Sequence, residues 1–167
     1  MTFTTADLCD SHSSDIDFQI AEPIFNTFGA KRCFSGQIST VKAFEDNVLI
    51  RELLENKVNN RILVIDGGGS HRCALLGANL ANTACQNGWQ GIIIYGCIRD
   101  SDEINKLPIG IRALHTHPLK SHKKGTGELA STCMFAGIHF KTDHYLYADN
   151  DGIIVSQNPL QKKDHEN

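Results

Sequence analysis

The sequence predicts an α/β domain, and three adjacent stretches carry the prediction. Residues 61–66, "RILVID", are a continuous apolar run of strand length, the mark of a strand covered on both faces. Over residues 78–88 the apolar Leu80, Ala81, Ala84 and Cys85 recur at helical spacing, and Asn87-Gly88 supplies a stop. "WQGIIIYGCI" then puts the β-branched Ile92, Ile93 and Ile94 in a second buried strand. Strand, helix and strand in that order make a right-handed parallel crossover.

The flanking elements follow in chain order. "TTADLCDSH" offers threonine caps before a short helical period at Leu8, and "PIFNTFGAKRCFSGQIST" reads as a loop followed by an extended segment. "VKAFEDNVLIRELLENK" is ambiguous as a whole, but residues 48–54 have helical spacing and "NKVNN" closes them as a turn. Beyond the second strand, "IRALHTH" and "MFAGIHF" read as further strands, and "HYLYADNDGIIVS" as a hairpin turning at residues 149–152. The polar "QNPLQKKDHEN", residues 157–167, is expected to fray. No repeat or low-complexity segment divides the chain, so residues 1–167 read as one domain with its core at about 5–156.

Composition narrows the function classes. A chain of 167 residues with 41% hydrophobic and 21% charged residues is ordinary for a globular domain with one sizeable core. The net charge of −3 gives no broad basic surface, so direct nucleic-acid binding is not expected. No apolar run reaches the length of a membrane span, and "MTFTTADLCDSH" lacks the basic flank and apolar core of a secretion signal, so a cytoplasmic location is expected. The six cysteines lie far apart with no CxxC pair and read as small hydrophobes.

Three glycines, Gly67, Gly68 and Gly69, follow the first strand and raise the question of a phosphate. The spacing excludes one. A dinucleotide fingerprint needs glycine at the sixth place counted from Gly67, which is Arg72, and the Gly-Lys-Ser/Thr of a phosphate loop occurs nowhere. The turn leads instead toward Gly77, Ala78, Asn79 and Leu80 at the predicted helix start. Free amides and the helix dipole attract an anion there, and glycine allows close approach.

"GCIRDSDE" places Arg99, Asp100, Asp102 and Glu103 just past the carboxyl end of the second strand, the edge where crossover sheets bind ligands. Arginine grips a carboxylate with two parallel hydrogen bonds, and aspartate is a hard oxygen ligand suited to Mg²⁺. A small anion chelated to a metal is one reading of the pair; a solvated, salt-bridged loop is the other.

"VIDGGGSHRCALLGANLA", "NGW", "GCIRDSDEI", "IGIRAL", "HPLKSHKKGTGE" and "LYADNDGIIVS" together resemble the RraA-like proteins, a family that includes class II 4-hydroxy-4-methyl-2-oxoglutarate aldolases. The resemblance runs over residues 5–156. It implies a layered β/β/α domain of the swivelling, phosphohistidine-domain type, assembled as a homotrimeric ring with sites near subunit boundaries. It also implies Mg²⁺ or Mn²⁺ bound by Asp100, with Glu103 and Asp102 holding metal waters. Gly77, Ala78, Asn79, Leu80 and Arg99 would bind a 2-oxo acid that is cleaved to pyruvate, with oxaloacetate decarboxylation as a side activity. Arg99-Asp100 followed by Glu103 matches the aldolase side of the family. The alternative is a non-catalytic regulator that binds and inhibits ribonuclease E. The chain departs from many active relatives in reading Gly77-Ala78-Asn79 where they read Gly-Asp-Asn, which removes one carboxylate.

Other polar residues are given structural readings. His115, His117 and His122 lack an acid or cysteine partner at zinc spacing. The loop carrying Lys120, Lys123 and Lys124 reads as a solvated basic face able to meet an acidic partner. Trp89 is expected to pack at an element junction, and Asp66 to cap or pin the glycine turn.

Overall fold

The protein is represented by a computed structural model that describes residues 3–161. The chain begins with α1 (Thr5–His12), capped by the Thr4 side chain accepting from the Asp7 amide, and two short strands, β1 (Gln19–Ile20) and β2 (Asn26–Phe28). There follow β3 (Phe34–Lys42), α2 (Val48–Glu55), β4 (Arg61–Asp66), β5 (Ala74–Leu76), α3 (Ala78–Gln86) and β6 (Trp89–Ile98). The second half holds α4 (Ser101–Ile104), β7 (Gly110–Thr116), β8 (Glu128–Leu129), β9 (Cys133–Phe135), β10 (Ile138–Phe140), β11 (Tyr145–Ala148) and β12 (Ile153–Ser156).

The main sheet runs β1-β12-β11-β3-β4-β6-β7-β2, with β5 beside β6 and β8 beside β3. Its centre, β3-β4-β6-β7, is parallel and steps one place at a time in one direction. Right-handed crossovers that all step the same way deliver their helices to one face. Accordingly Ile50 and Leu54 of α2, Leu80, Ala81 and Ala84 of α3 and Ile104 of α4 pack with Leu63, Ile65, Ile92 and Ile94. The opposite face of the same strands, Ile62, Val64 and Ile93, is covered by Phe135 and Phe140 of the β9-β10 hairpin. Hairpin, sheet and helices make the β/β/α layering, and β4 buries both faces, which is why its sequence shows no alternation.

Two expectations are corrected. "MFAGIHF" is not one strand but the two strands β9 and β10, because Ala136 and Gly137 take positive φ values of 51° and 72°. A two-residue loop with both central residues left-handed matches the twist of a hairpin. The polar tail is not frayed over residues 157–161: Leu160 is buried and its N–H donates to the Tyr147 hydroxyl at 2.7 Å. Residues 162–167 of that expected tail lie outside the described residues.

Trp89 is buried at the start of β6, in the helix-side core. The cysteine reading holds for Cys73, Cys97 and Cys133, which are buried, whereas Cys33 is exposed. Burial pushes the Cys133 thiol up to about 11. Among the described residues no helix is long and apolar enough to cross a membrane.

Candidate active site at the carboxyl edge of the parallel strands

β5, the residues that follow β6 and the starts of α2 and α3 meet at one edge of the sheet. A cleft of about 100 Å³ opens there, lined in part by Asn47, Arg51, Gly77, Arg99, Asp100 and Lys120. Asn79, Leu80, Ser121 and Lys123 also reach it. The sheet edge predicted to bind a ligand carries this cleft, while a larger cavity of about 780 Å³ lies at the opposite end of β3, lined in part by Ser35, Gln37, Asn60 and Tyr147.

Arg99 and Asp100 leave β6 held by their own backbone. The Arg99 N–H donates to the Leu76 carbonyl at 2.9 Å, tying the strand end to β5. Asp100 then turns into the left-handed region, φ 59° and ψ 39°, which aspartate tolerates better than most residues. That turn directs its carboxylate to the start of α3, where Oδ2 accepts from the Ala78 N–H at 3.0 Å. A Cβ on Gly77 would lie 2.7 Å from that same Oδ2 and 3.5 Å from Arg99 Nε, so glycine is required by proximity, its φ of −121° being ordinary.

This contact revises one detail of the sequence reading. The Ala78 amide is already engaged by Asp100, so the amides left for a ligand at the helix start are those of Asn79 and Leu80, which have no acceptor within the helix. Asp102 and Glu103 are exposed on α4 and do not line the cleft; Glu103 Oε1 accepts from Lys106 Nζ at 3.1 Å. The glycine turn has its own explanation. Asp66 Oδ1 accepts from the Gly68 N–H at 3.0 Å, which pins the turn as expected, and a Cβ on Gly67 would meet Leu75 Cδ1 at 2.5 Å and the Tyr95 carbonyl at 2.7 Å.

The lysine loop is solvated as read from sequence, with Lys120, Lys123 and Lys124 exposed, and its backbone is also fastened beside the cleft. The Ala74 N–H donates to the Leu119 carbonyl at 2.8 Å and the backbone His122 N–H to the Glu45 carbonyl at 2.9 Å. Asp46, buried to 2% exposure, accepts from the Lys124 and Thr126 amides and the Thr126 hydroxyl through Oδ2, and from the Val48 amide through Oδ1. Burial pushes the Asp46 carboxyl up, but the bonds from Thr126, Val48 and Lys124 outweigh it and hold the group below its usual range. Arg51, Arg99, Lys120 and Lys123 thus face a cleft whose one carboxylate is Asp100. Sequence could not show this, because Asp46 and Lys124 are far apart in the chain and Asp46 carries no motif.

The histidines do not gather. The His115 ring meets His71 edge-on at 4.8 Å between centroids, His117 Nδ1 accepts from the Leu119 N–H, and among the described residues no three His, Cys, Asp or Glu side chains cluster to hold a metal. A hard cation that keeps water and takes its remaining ligands from substrate needs only one or two carboxylates. Asp100 Oδ1, which accepts from no protein donor among the described residues, fits that requirement.

Fold and cleft define an α/β protein of β/β/α layering with a cationic cleft that, among the described residues, holds one carboxylate. Residues 5–155 match the family described as Aldolase/RraA, and the chain belongs to this RraA-like family. It is 61% identical over 160 residues to a Methylococcus capsulatus protein provisionally named 4-hydroxy-4-methyl-2-oxoglutarate aldolase, covering 96% of this chain and 99% of that one. Among solved structures it resembles one described as S-adenosylmethionine: 2-dimethylmenaquinone methyltransferase from Geobacillus kaustophilus (TM-score 0.92, 48% identity, covering 97% and 99% of the two chains). It also resembles the RNA-processing inhibitor RraA from Thermus thermophilis (TM-score 0.91, 37% identity, 96% of each chain).

Proposed function

We propose that the protein is a divalent-metal-dependent aldolase that cleaves 4-hydroxy-4-methyl-2-oxoglutarate to pyruvate and decarboxylates oxaloacetate as a side activity. The observation that carries this reading is the placement of Arg99 and Asp100 beside the start of α3 in a cationic cleft, with Asp100 hydrogen-bonded to the Ala78 amide. Asp100 would hold Mg²⁺ or Mn²⁺, and the bound cation supplies Lewis-acid stabilisation to an oxyanion. Arg99 and the free amides of Asn79 and Leu80 orient the substrate C1 carboxylate and the 2-oxo group.

In the aldol cleavage the C4 hydroxyl loses its proton, the C3–C4 bond breaks and C4 becomes the ketone of one pyruvate. The electron pair passes to C3 and C2, giving the enolate of the second pyruvate, which takes a proton at C3. Oxaloacetate reaches the same enolate by losing CO₂. Arg99 faces the oxygen on which that charge develops, and one preorganised donor of this kind is worth about 2.7–4 kcal/mol. With Ala78 in place of a carboxylate, proton transfer falls to water held at the cleft.

The assay is pyruvate release from both substrates with and without EDTA. Metal-dependent turnover above the rate of free metal is expected; its absence overturns the reading. We include in it a homotrimer, to be checked by light scattering, for which the exposed Phe44, Leu129 and Met134 offer apolar surface. Methyl transfer is not adopted, because a sulfonium donor is a cation and would face four others. Ribonuclease E inhibition is favoured by the likeness to the Thermus inhibitor; a complex with that enzyme that survives Asp100→Asn would support it.

A further inference from the structure

We propose that Arg51, Lys120, Lys123, Ser121 and Asn47 form a second subsite, which takes the carboxylate and hydroxyl of the departing fragment and makes the enzyme selective for 4-hydroxy dicarboxylates. The inference rests on the aldolase reading and names what its other end recognises. Arg99 and the α3 amides account for one carboxylate. Three further cations line the same cleft without an acid to pair with among the described residues.

Two polar atoms show that this end is built for a ligand. Ser121 is 5% exposed, lines the cleft, and its hydroxyl has no hydrogen-bond partner among the described residues. Asn47 turns its amide nitrogen to the Leu75 carbonyl at 3.3 Å; since that carbonyl can only accept, the side-chain oxygen is left over, buried and unpartnered. Buried polar atoms without partners are rare because each forfeits its hydration. The pair is complementary: Ser121 donates to a carboxylate, and Asn47 Oδ1 accepts from a hydroxyl. A substrate with both groups on C4 satisfies both atoms at once, while its charge meets Arg51, Lys120 and Lys123. The loop that brings Lys120, Ser121 and Lys123 is the one Asp46 and Glu45 hold in place.

The test compares kcat/KM for 4-hydroxy-4-methyl-2-oxoglutarate and for 4-hydroxy-4-methyl-2-oxopentanoate, which lacks the second carboxylate, in the parental protein, Lys120→Met and Ser121→Ala. Both variants should melt no lower than the parent, Lys120 being exposed and Ser121→Ala removing an unsatisfied buried hydroxyl. The preference for the dicarboxylate should fall at least tenfold in each. An unchanged preference, or a parental protein that does not discriminate, overturns the subsite. Calorimetric titration with 2-oxoglutarate and 2-oxopentanoate in Mg²⁺ separates it from the aldolase reading. If the parent turns over neither substrate, only that reading falls. A tenfold tighter binding of the dicarboxylate, lost in Lys120→Met, then still supports the subsite, and equal binding overturns it.

Discussion

Asp100 Oδ2 accepts a hydrogen bond from the Ala78 amide at 3.0 Å, so the carboxylate after β6 caps the helix that follows β5. One side chain thereby fixes the geometry between the two halves of the proposed site. The consequences are testable residue by residue.

Gly77→Ala separates geometry from stability. The backbone at Gly77 suits any residue, but the new Cβ would meet Asp100 Oδ2 at 2.7 Å and push the carboxylate off the helix start. Stability to melting should fall by no more than about 1 kcal/mol, the lost cap being partly offset by the smaller unfolded-state entropy of alanine, while kcat/KM should fall at least tenfold, about 1.4 kcal/mol of transition-state stabilisation. Parental turnover would show that the contact is dispensable.

Asp100→Asn and Asp100→Ala should differ in stability and agree in activity. Asparagine tolerates the left-handed backbone and can still accept from Ala78, so it should fold like the parent yet lose at least a hundredfold in turnover, about 2.7 kcal/mol, with its charge. Alanine should also lose about 1–2 kcal/mol of stability, from the backbone strain and the lost cap. Thermal melting and metal titration of both variants check this.

Arg99→Lys keeps the charge and loses the planar fork. The carboxylate would then be held at one point rather than two, and kcat/KM for pyruvate formation should fall at least tenfold with folding intact. Near-parental turnover would return Arg99 to the solvated-loop reading.

Asp46 links pH to the loop. Its carboxyl is held below its usual range when folded, so its contribution to stability is full above the unfolded pKa of about 3.9 and is lost as pH falls through the depressed folded value. Asp46→Asn should flatten the acid limb of a melting-versus-pH series. It should also cost about 2 kcal/mol at neutral pH, since the amide cannot accept from all four donors, lowering Tm by about 2–4 °C for each kcal/mol. The KM for the dicarboxylate should rise more than kcat falls, because the loop acts on binding.

Periodicity exposed the elements that bury one long face or two. The runs that became β4 and β6, the helical spacing of α3 and the turn before β12 were all legible, as was the sheet edge bearing Arg99 and Asp100. Contacts between distant segments were not. Nothing in "HPLKSHKKGTGE" says that Asp46 would accept three of its hydrogen bonds, so the loop read correctly as solvated but its anchoring went unseen. Arg112 in β7 was equally silent: it is buried at 3% exposure, donates to the carbonyls of Arg32 and Asp149, and burial lowers its pKa to about 10. The hairpin in "MFAGIHF" was missed because a left-handed alanine has no sequence signature.

The two ends of the described chain are sewn to the same outer hairpin. Thr5 donates through its amide and hydroxyl to Asp149, at the turn of β11 and β12, while the Tyr147 hydroxyl receives the Leu160 amide and His12 Nε2 lies 2.6 Å from the Gln161 carbonyl. Mechanical load applied at either end therefore falls first on the antiparallel margin of the sheet, with β3 standing between it and β4 and β6. Tethering the molecule by its termini leaves the strands that carry the cleft unloaded, so immobilised protein should keep its catalytic geometry.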